Sequence, residues 1–216
     1  MIRENVAQVL KTLPAGVTLV AAAKTRTPQE IMEAAEAGIT VFGHNYVQEA
    51  ERAVEAVGGS VKWHMIGHLQ TNKARKAAGL FDMVETVDSL KLARALDRAC
   101  GEIGRVMPVL IEVNIAGEEQ KAGVVPEEVI PLVRGISLLS HLSVRGLMTM
   151  GPFVEHPEML RPHFRKARGL FETLVKNPPD GTQMECISMG MSDSYRIAIE
   201  EGATMVRLGT ALFGPR

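Results

Sequence analysis

The sequence predicts an α/β fold: a single closed (β/α)8 barrel of the TIM type, preceded by an N-terminal helix. Three observations carry that prediction. Short apolar, β-branched runs alternate from end to end with longer stretches of helical spacing. Strand, helix, strand in that rhythm demands parallel pairing through right-handed crossovers. Finally, roughly eight such units fit into 216 residues, which suits a closed ring better than an open doubly wound sheet of about five or six strands.

Residues 1–17 are amphipathic, with charges on both sides of the apolar positions and no continuous apolar run, so they read as a helix and not as an export signal. Strands are expected at 17–23, 39–43, 61–66, 83–87, 109–115, 142–148, 183–187 and 204–208. Between them, helices are expected at 28–37, with Pro28 at an early helix position, and at 89–103, where Leu and Ala recur at helical spacing. The cluster from Pro178 to Gly181 reads as a helix-to-strand turn. Only 211–216 follow the last strand, too few for the helix expected there, and the N-terminal helix is placed to cover the gap. There is no linker or low-complexity tract, so one domain is expected over 1–216.

A content of 46% hydrophobic and 23% charged residues supports one sizeable core. The net charge of −1 supplies no general attraction to nucleic acid or to an anionic membrane, so any bound anion must be caught by local geometry. The basic stretch 72–76 lacks interleaved aromatics and reads as a solvated helix face. Cys100 and Cys186 lie far apart, without a second Cys at ligand spacing, and read as buried free thiols. No apolar run approaches a membrane span, and a reducing cytoplasm fits this composition.

In such a barrel, functional groups project from the C-terminal strand ends, and the loops after the last two strands commonly hold a phosphate. At those ends stand Lys24, Asn45, His64 with Gly67, Asn114, Met148, Ser188, and Arg207 with Gly209. Lys24 emerges from buried wall beside three alanines that leave open space. A lysine partly removed from water has its ammonium form disfavoured and is free to attack an aldehyde. The alternative is a lysine reaching to water from a strand end.

After the seventh strand comes Ser188-Met-Gly-Met-Ser192, then Asp193 opening a helix; after the eighth comes Arg207-Leu-Gly-Thr210. Gly190 permits close backbone approach, and two adjacent loops with free N–H groups and hydroxyls form an anion cradle. Either loop alone would read as an ordinary turn. Arg207, in an apolar strand, needs an acceptor: a cofactor ring nitrogen or an intramolecular carboxylate both satisfy it. His64 and His68 lie on a strand running into a turn, so their spacing does not imply a metal site. The 12 methionines read mostly as core, with Met148, Met189 and Met191 placed to line a pocket.

Six stretches form an ordered set along nearly the whole chain: Val-Ala-Ala-Ala-Lys-Thr-Arg-Thr-Pro at 20–28, Phe-Gly-His-Asn-Tyr-Val-Gln-Glu at 42–49, Trp-His-Met-Ile-Gly-His-Leu-Gln-Thr-Asn-Lys at 63–73, Val-Arg-Gly-Leu-Met at 144–148, Ser-Met-Gly-Met-Ser at 188–192, and Val-Arg-Leu-Gly-Thr-Ala-Leu-Phe-Gly at 206–214. The set resembles the pyridoxal phosphate homeostasis protein (YggS/PROSC) family, which is similar in fold to the alanine racemase barrel. The resemblance implies a fold-type III barrel with pyridoxal 5′-phosphate (PLP) as a Schiff base on Lys24. It further implies Asn45 near the ring, phosphate around Ser188, Ser192, Gly209 and Thr210, and Arg207 facing the pyridine nitrogen. His64, Met148, Met189 and Gly190 complete the expected cofactor-binding set. His44 departs from the family's usual Glu.

An Arg partner leaves the ring nitrogen unprotonated and weakens its pull on electrons, and racemisation needs an acid and a base on opposite faces. The only tyrosines, Tyr46 and Tyr195, are placed where helices begin, and the chain ends before any second domain that would bring another. Little amino-acid turnover is expected. The resemblance thus implies a cytoplasmic PLP carrier or buffer, expected as a monomer, that passes cofactor to apo-enzymes. The alternatives are a slow PLP-dependent racemase with Lys24 as base, and a cofactor-free phosphosugar barrel enzyme.

Overall fold

The computed structural model describes residues 1–215. Its centre is a closed parallel barrel in which each strand pairs with its neighbours in sequence order and β8 returns to β1. The strands are β1 Thr18–Ala22, β2 Val41–His44, β3 Lys62–Met65, β4 Met83–Val87, β5 Met107–Glu112, β6 Leu142–Met148, β7 Cys186–Ser188 and β8 Met205–Leu208. Each overlaps a run expected from the sequence. The seventh begins later than expected, because residues 183–185 reach β6 through isolated bonds, Gln183 N–H to the Val144 carbonyl and Glu185 N–H to that of Arg145. The fifth ends before Val113–Ile115, where the chain turns into a loop closed by Asn114.

Alternation along the strands sorts side chains into two layers. Val20, Val41, Ile66, Leu110, Met148 and Met205 fill the barrel, while Leu19, Phe42, Trp63, Val206 and Leu208 point out to the helices. The interior is not all apolar: His64, Glu85, Ser188 and Arg207 are also buried there. Of the two free thiols, Cys100 is buried as expected, whereas Cys186 is only half-buried.

The outer helices begin where local chemistry favours them. Helix α2 (Pro28–Glu36) opens with Pro28 and a reciprocal capping box between Thr27 and Glu30. Helices α3 (Val47–Val57), α4 (Ala74–Leu80) and α5 (Leu90–Glu102) follow, the last capped by the Ser89 hydroxyl. Helices α6 (Pro126–Ser137), α7 (Arg161–Lys176) and α8 (Tyr195–Glu200) complete the ring. The chain after β8 makes one helical turn, α9 (Thr210–Phe213), where the sequence suggested no helix.

Helix α1 (Ile2–Thr12) packs against α2 and α9, so it stands beside that short turn and covers the gap. It does so through Ile2, Val6 and Val9, spaced to face one side. Each such side chain contributes about 1.5–3 kcal/mol by leaving water, and Val6→Asp would break the contact. Among the described residues, no helix is long and apolar enough to cross a membrane, and no group of three His, Cys, Asp or Glu stands together as metal ligands.

Candidate functional site

At the C-terminal rim, a cavity of about 360 Å³ is lined by Ala22, Lys24, Asn45, Ser192, Arg207 and Thr210, with Ile66, Met150, Met191, Asp193 and Gly209 completing the wall. That volume lies within the range of small-ligand sites. Lys24 follows the end of β1 and is half-buried, and its amine makes no hydrogen bond or ion pair among the described residues. The turn after it is strained: Thr25, a β-branched residue, holds φ at +65°, a conformation that costs about 1–3 kcal/mol unless its surroundings enforce it. Its N–H meets Glu49 Oε2 at 3.4 Å. Asn45 follows β2, and its backbone is pressed by the next turn; a Cβ on Gly67 would come within 2.4 Å of the Asn45 carbonyl oxygen.

The loops after β7 and β8 are tied together by Ser192, whose Oγ accepts from the N–H groups of Gly209 and Ala211, both at 3.1 Å. Its own O–H is left to donate elsewhere. The backbone N–H groups of Ser192, Asp193 and Thr210 have no acceptor among the described residues, so unpaired donors gather at this end of the cavity.

Arg207 enters the cavity from below. It is 3% exposed. One terminal nitrogen donates to Ser188 Oγ at 2.6 Å, the other to the Thr149 carbonyl at 2.9 Å and to Met150 Sδ at 3.3 Å. Ser188 in turn donates to Glu85 Oε2 at 2.7 Å, and Glu85 Oε1 meets His64 Nδ1 at 2.7 Å. His64, Glu85, Ser188 and Arg207 are thus one buried chain. Burial pushes the Glu85 carboxyl upward, but the His64 hydrogen bond and charge, Arg207 and Ser188 outweigh it and hold it below the ordinary carboxylate value. Burial depresses Arg207, with Glu85 and Glu112 opposing.

The structure brings together six of the eleven residues expected to bind the cofactor, Lys24, Asn45, Ser192, Arg207, Gly209 and Thr210, and Met191, expected to line a pocket, stands with them. Five others do not line this cavity. Ser188 is 0% exposed and its hydroxyl is committed to Glu85 and Arg207, so it supports Arg207 and offers no free hydroxyl to the cavity. His64 lies deeper, against Glu85. Met148 fills the barrel interior, and Met189 points outward into the helix layer. Gly190 is required for packing: its φ is +92° and a Cβ would stand 2.6 Å from the Ala198 Cβ of α8.

The sequence reading missed Glu85, Glu112, Thr149 and Asp193. Glu85 and Glu112 carried a signal, since each is a lone charge inside an apolar strand, as Arg207 is. Arg207 does not form the direct ion pair that was one alternative; Ser188 stands between it and Glu85. His44 lies outside the barrel beneath α3, stacked on Trp63 with ring centroids 5.7 Å apart. It is 2% exposed with neither ring nitrogen bonded, and burial pushes it down to about 4.

This closed barrel belongs to the class described as alanine racemase, N-terminal domain, whose model matches residues 1–216. Within that class, the chain belongs to the pyridoxal phosphate homeostasis protein family. It is 42% identical over 199 residues to the family member of Aquifex aeolicus, covering 92% of this chain and 86% of that one. The Haemophilus influenzae member is 41% identical over 203 residues, covering 93% and 85%. Among solved structures, PipY of Synechococcus elongatus with PLP bound aligns at a TM-score of 0.90 and 35% identity over 99% of this chain and 100% of that one. Alanine racemase of Clostridium difficile shares the fold at a TM-score of 0.84 with 14% identity, over 100% of this chain and 59% of that one.

Proposed function

We propose that this protein binds PLP reversibly as a Schiff base on Lys24 and acts in PLP homeostasis, as a carrier or buffer of the cofactor. One observation carries the reading: an unpartnered lysine amine and a set of unpartnered backbone N–H groups line the same cavity. The residues fit a phosphorylated aldehyde. The N–H groups of Ser192, Asp193 and Thr210, with the Ser192 and Thr210 hydroxyls, offer donors to a phosphate. Asp193 stands exposed at the rim, where water screens its charge. When bound, PLP supplies an aldehyde that condenses with amines and a ring that draws electron density.

The protein's own groups then have separate tasks. Lys24 would supply the nucleophile, the loops after β7 and β8 would hold the phosphate, and Arg207 would offer a fixed positive charge to the ring. Asn45 would line the ring's side of the cavity. The likeness to PLP-bound PipY supports this assignment over the cofactor-free alternative. The same proposal has the protein working as a cytoplasmic monomer that passes PLP to apo-enzymes.

The test is to mix purified protein with PLP, reduce with borohydride and map the labelled peptide. The label is expected on the Lys24 peptide. Lys24→Ala should lose the covalent adduct yet retain non-covalent PLP in equilibrium dialysis, because the phosphate donors are independent of the amine. A full covalent adduct in that variant refutes the anchor. Light scattering reads the oligomeric state, and reactivation of a PLP-free aminotransferase in the presence of a trap for free PLP reads the transfer.

A further inference from the structure

A second cavity, of about 370 Å³, opens beside the first, and Met150 and Met191 line both. Its walls are mostly apolar, with Met150, Pro152 and Phe153 among the lining residues that keep exposed surface. The polar side chains in it are accounted for, with one exception. Asn114 closes its own loop, accepting from the N–H groups of Gly117 and Glu118 and donating to the Glu118 carbonyl. Thr149 donates to the Val113 carbonyl at 2.9 Å. Lys121 donates to the Gly151 carbonyl at 3.0 Å and pairs with Glu118 at 2.6 Å.

The exception is Glu112, at the end of β5. It is 7% exposed, and its Oε2 is buried without a hydrogen-bond donor among the described residues. A buried acceptor without a donor costs about 1–3 kcal/mol, and more when charged, so a native structure that keeps one needs a reason. The interior charges sharpen the point. Glu85 and Arg207 are linked through Ser188 and offset one another. Lys121 is held by Glu118. Glu112 is therefore a surplus carboxyl facing a cavity with room for a cation.

We propose that this second cavity binds a small primary amine with a branched apolar body, its ammonium group on Glu112 and its body against Met150, Pro152 and Phe153. In its charged form Glu112 repels a carboxylate or phosphate, and a neutral alcohol meets its hydrogen-bonding need but not its charge. Burial, then the charge of Asp88, push the Glu112 carboxyl up to about 7, with Arg207 opposing. An ammonium that binds at neutral pH therefore displaces the proton from the fraction of molecules that carries it.

This inference stands apart from the cofactor reading, because it is tested on protein freed of PLP. Calorimetric titration of the full chain at pH 7 with 3-methylbutylamine, 3-methylbutanol and 3-methylbutanoate separates the head groups on one apolar body. The amine is expected to bind at least tenfold more tightly than the alcohol, the carboxylate not at all, and the amine's heat should vary with buffer ionisation enthalpy as a proton is released. Glu112→Gln, nearly isosteric, should weaken the amine at least tenfold and remove the buffer dependence. Ala122→Trp, on an exposed loop residue lining the cavity, should block binding by filling it, and it serves as the second variant if Glu112→Gln does not fold. Equal binding of amine and alcohol, unweakened binding in either folded variant, or no amine binding overturns the proposal.

Discussion

Arg207 can occupy the barrel floor only while Glu85 offsets its charge, and Glu85→Gln tests that dependence. The substitution keeps the shape but removes a buried carboxylate that takes bonds from Ser188 and His64, each at 2.7 Å. Arg207 is then left with Glu112 as its remaining interior carboxyl, which burial and Asp88 push toward neutrality. Breaking a buried charge pair by removing one partner costs about 3–5 kcal/mol, against a total stability of about 5–15 kcal/mol for a domain. With a slope of about 2–3 kcal/mol per molar urea, the midpoint should fall by about 1–2.5 M. Urea unfolding of PLP-free protein at pH 7, followed by circular dichroism, measures it. Adding Arg207→Met should return part of the loss, since the charge left stranded is gone, and the coupling in the double-mutant cycle should be about 2 kcal/mol. Because Glu85 is held below its ordinary value, its contribution is present above the ordinary carboxylate range. That contribution is lost as pH falls through the folded value, so the gap between wild type and variant should close in acid. A loss below about 1 kcal/mol, or strict additivity in the cycle, refutes the reasoning.

Three further outcomes follow from single groups. His44 stays neutral when folded, with a value near 4 against 6.5 in the free side chain. Stability should therefore fall as pH drops from 6.5 toward 4, by up to about 3 kcal/mol, and melting of His44→Phe across that range should lack this slope; an unchanged slope refutes it. Glu112 has the opposite sign: with its value up at about 7, its contribution is intact in acid and lost as pH rises through 7. Glu112→Gln should match wild type near pH 4 and exceed it at pH 8 by up to about 3 kcal/mol; a variant weaker than wild type in urea at pH 8 counts against that. Gly190→Ala should lower stability by about 1–3 kcal/mol, from both the positive φ and the clash with Ala198, read as a urea midpoint shift with Gly79→Ala, on open surface, as the control.

Much of this architecture was legible because parallel barrel strands are buried on both faces and stand out as apolar runs between helical stretches. Lys24 and the loops at 188–192 and 207–210 were legible for a related reason, since topology alone sends strand ends to one rim. The rest depends on contacts that no local pattern encodes. Ser188 and Glu85 are 103 positions apart, and only their meeting inside the barrel turns the serine from a phosphate donor into a support for Arg207. Gly190 looked like a phosphate-loop glycine because a glycine that admits a ligand and one that admits Ala198 have the same sequence signature. Helix α9 escaped notice because one turn is too short to display a period.

The floor of the site also bears on whether Arg207 is structural alone. A guanidinium has five N–H donors in a planar fork, and here the oxygen acceptors it meets are Ser188 Oγ and the Thr149 carbonyl. A purely structural buried network is replaceable as a whole by apolar side chains of similar volume, often without loss of stability. An arginine that needs a buried carboxylate, a serine and a histidine behind it, and still lines the cavity beside Lys24, is arranged to present charge upward. The interior therefore divides in two. The Glu85–Ser188–Arg207 chain closes on itself and holds one cation still beneath the Lys24 cavity, while Glu112 leaves a carboxyl open toward the neighbouring cavity. One floor is built to meet a group that accepts hydrogen bonds, the other a group that donates them.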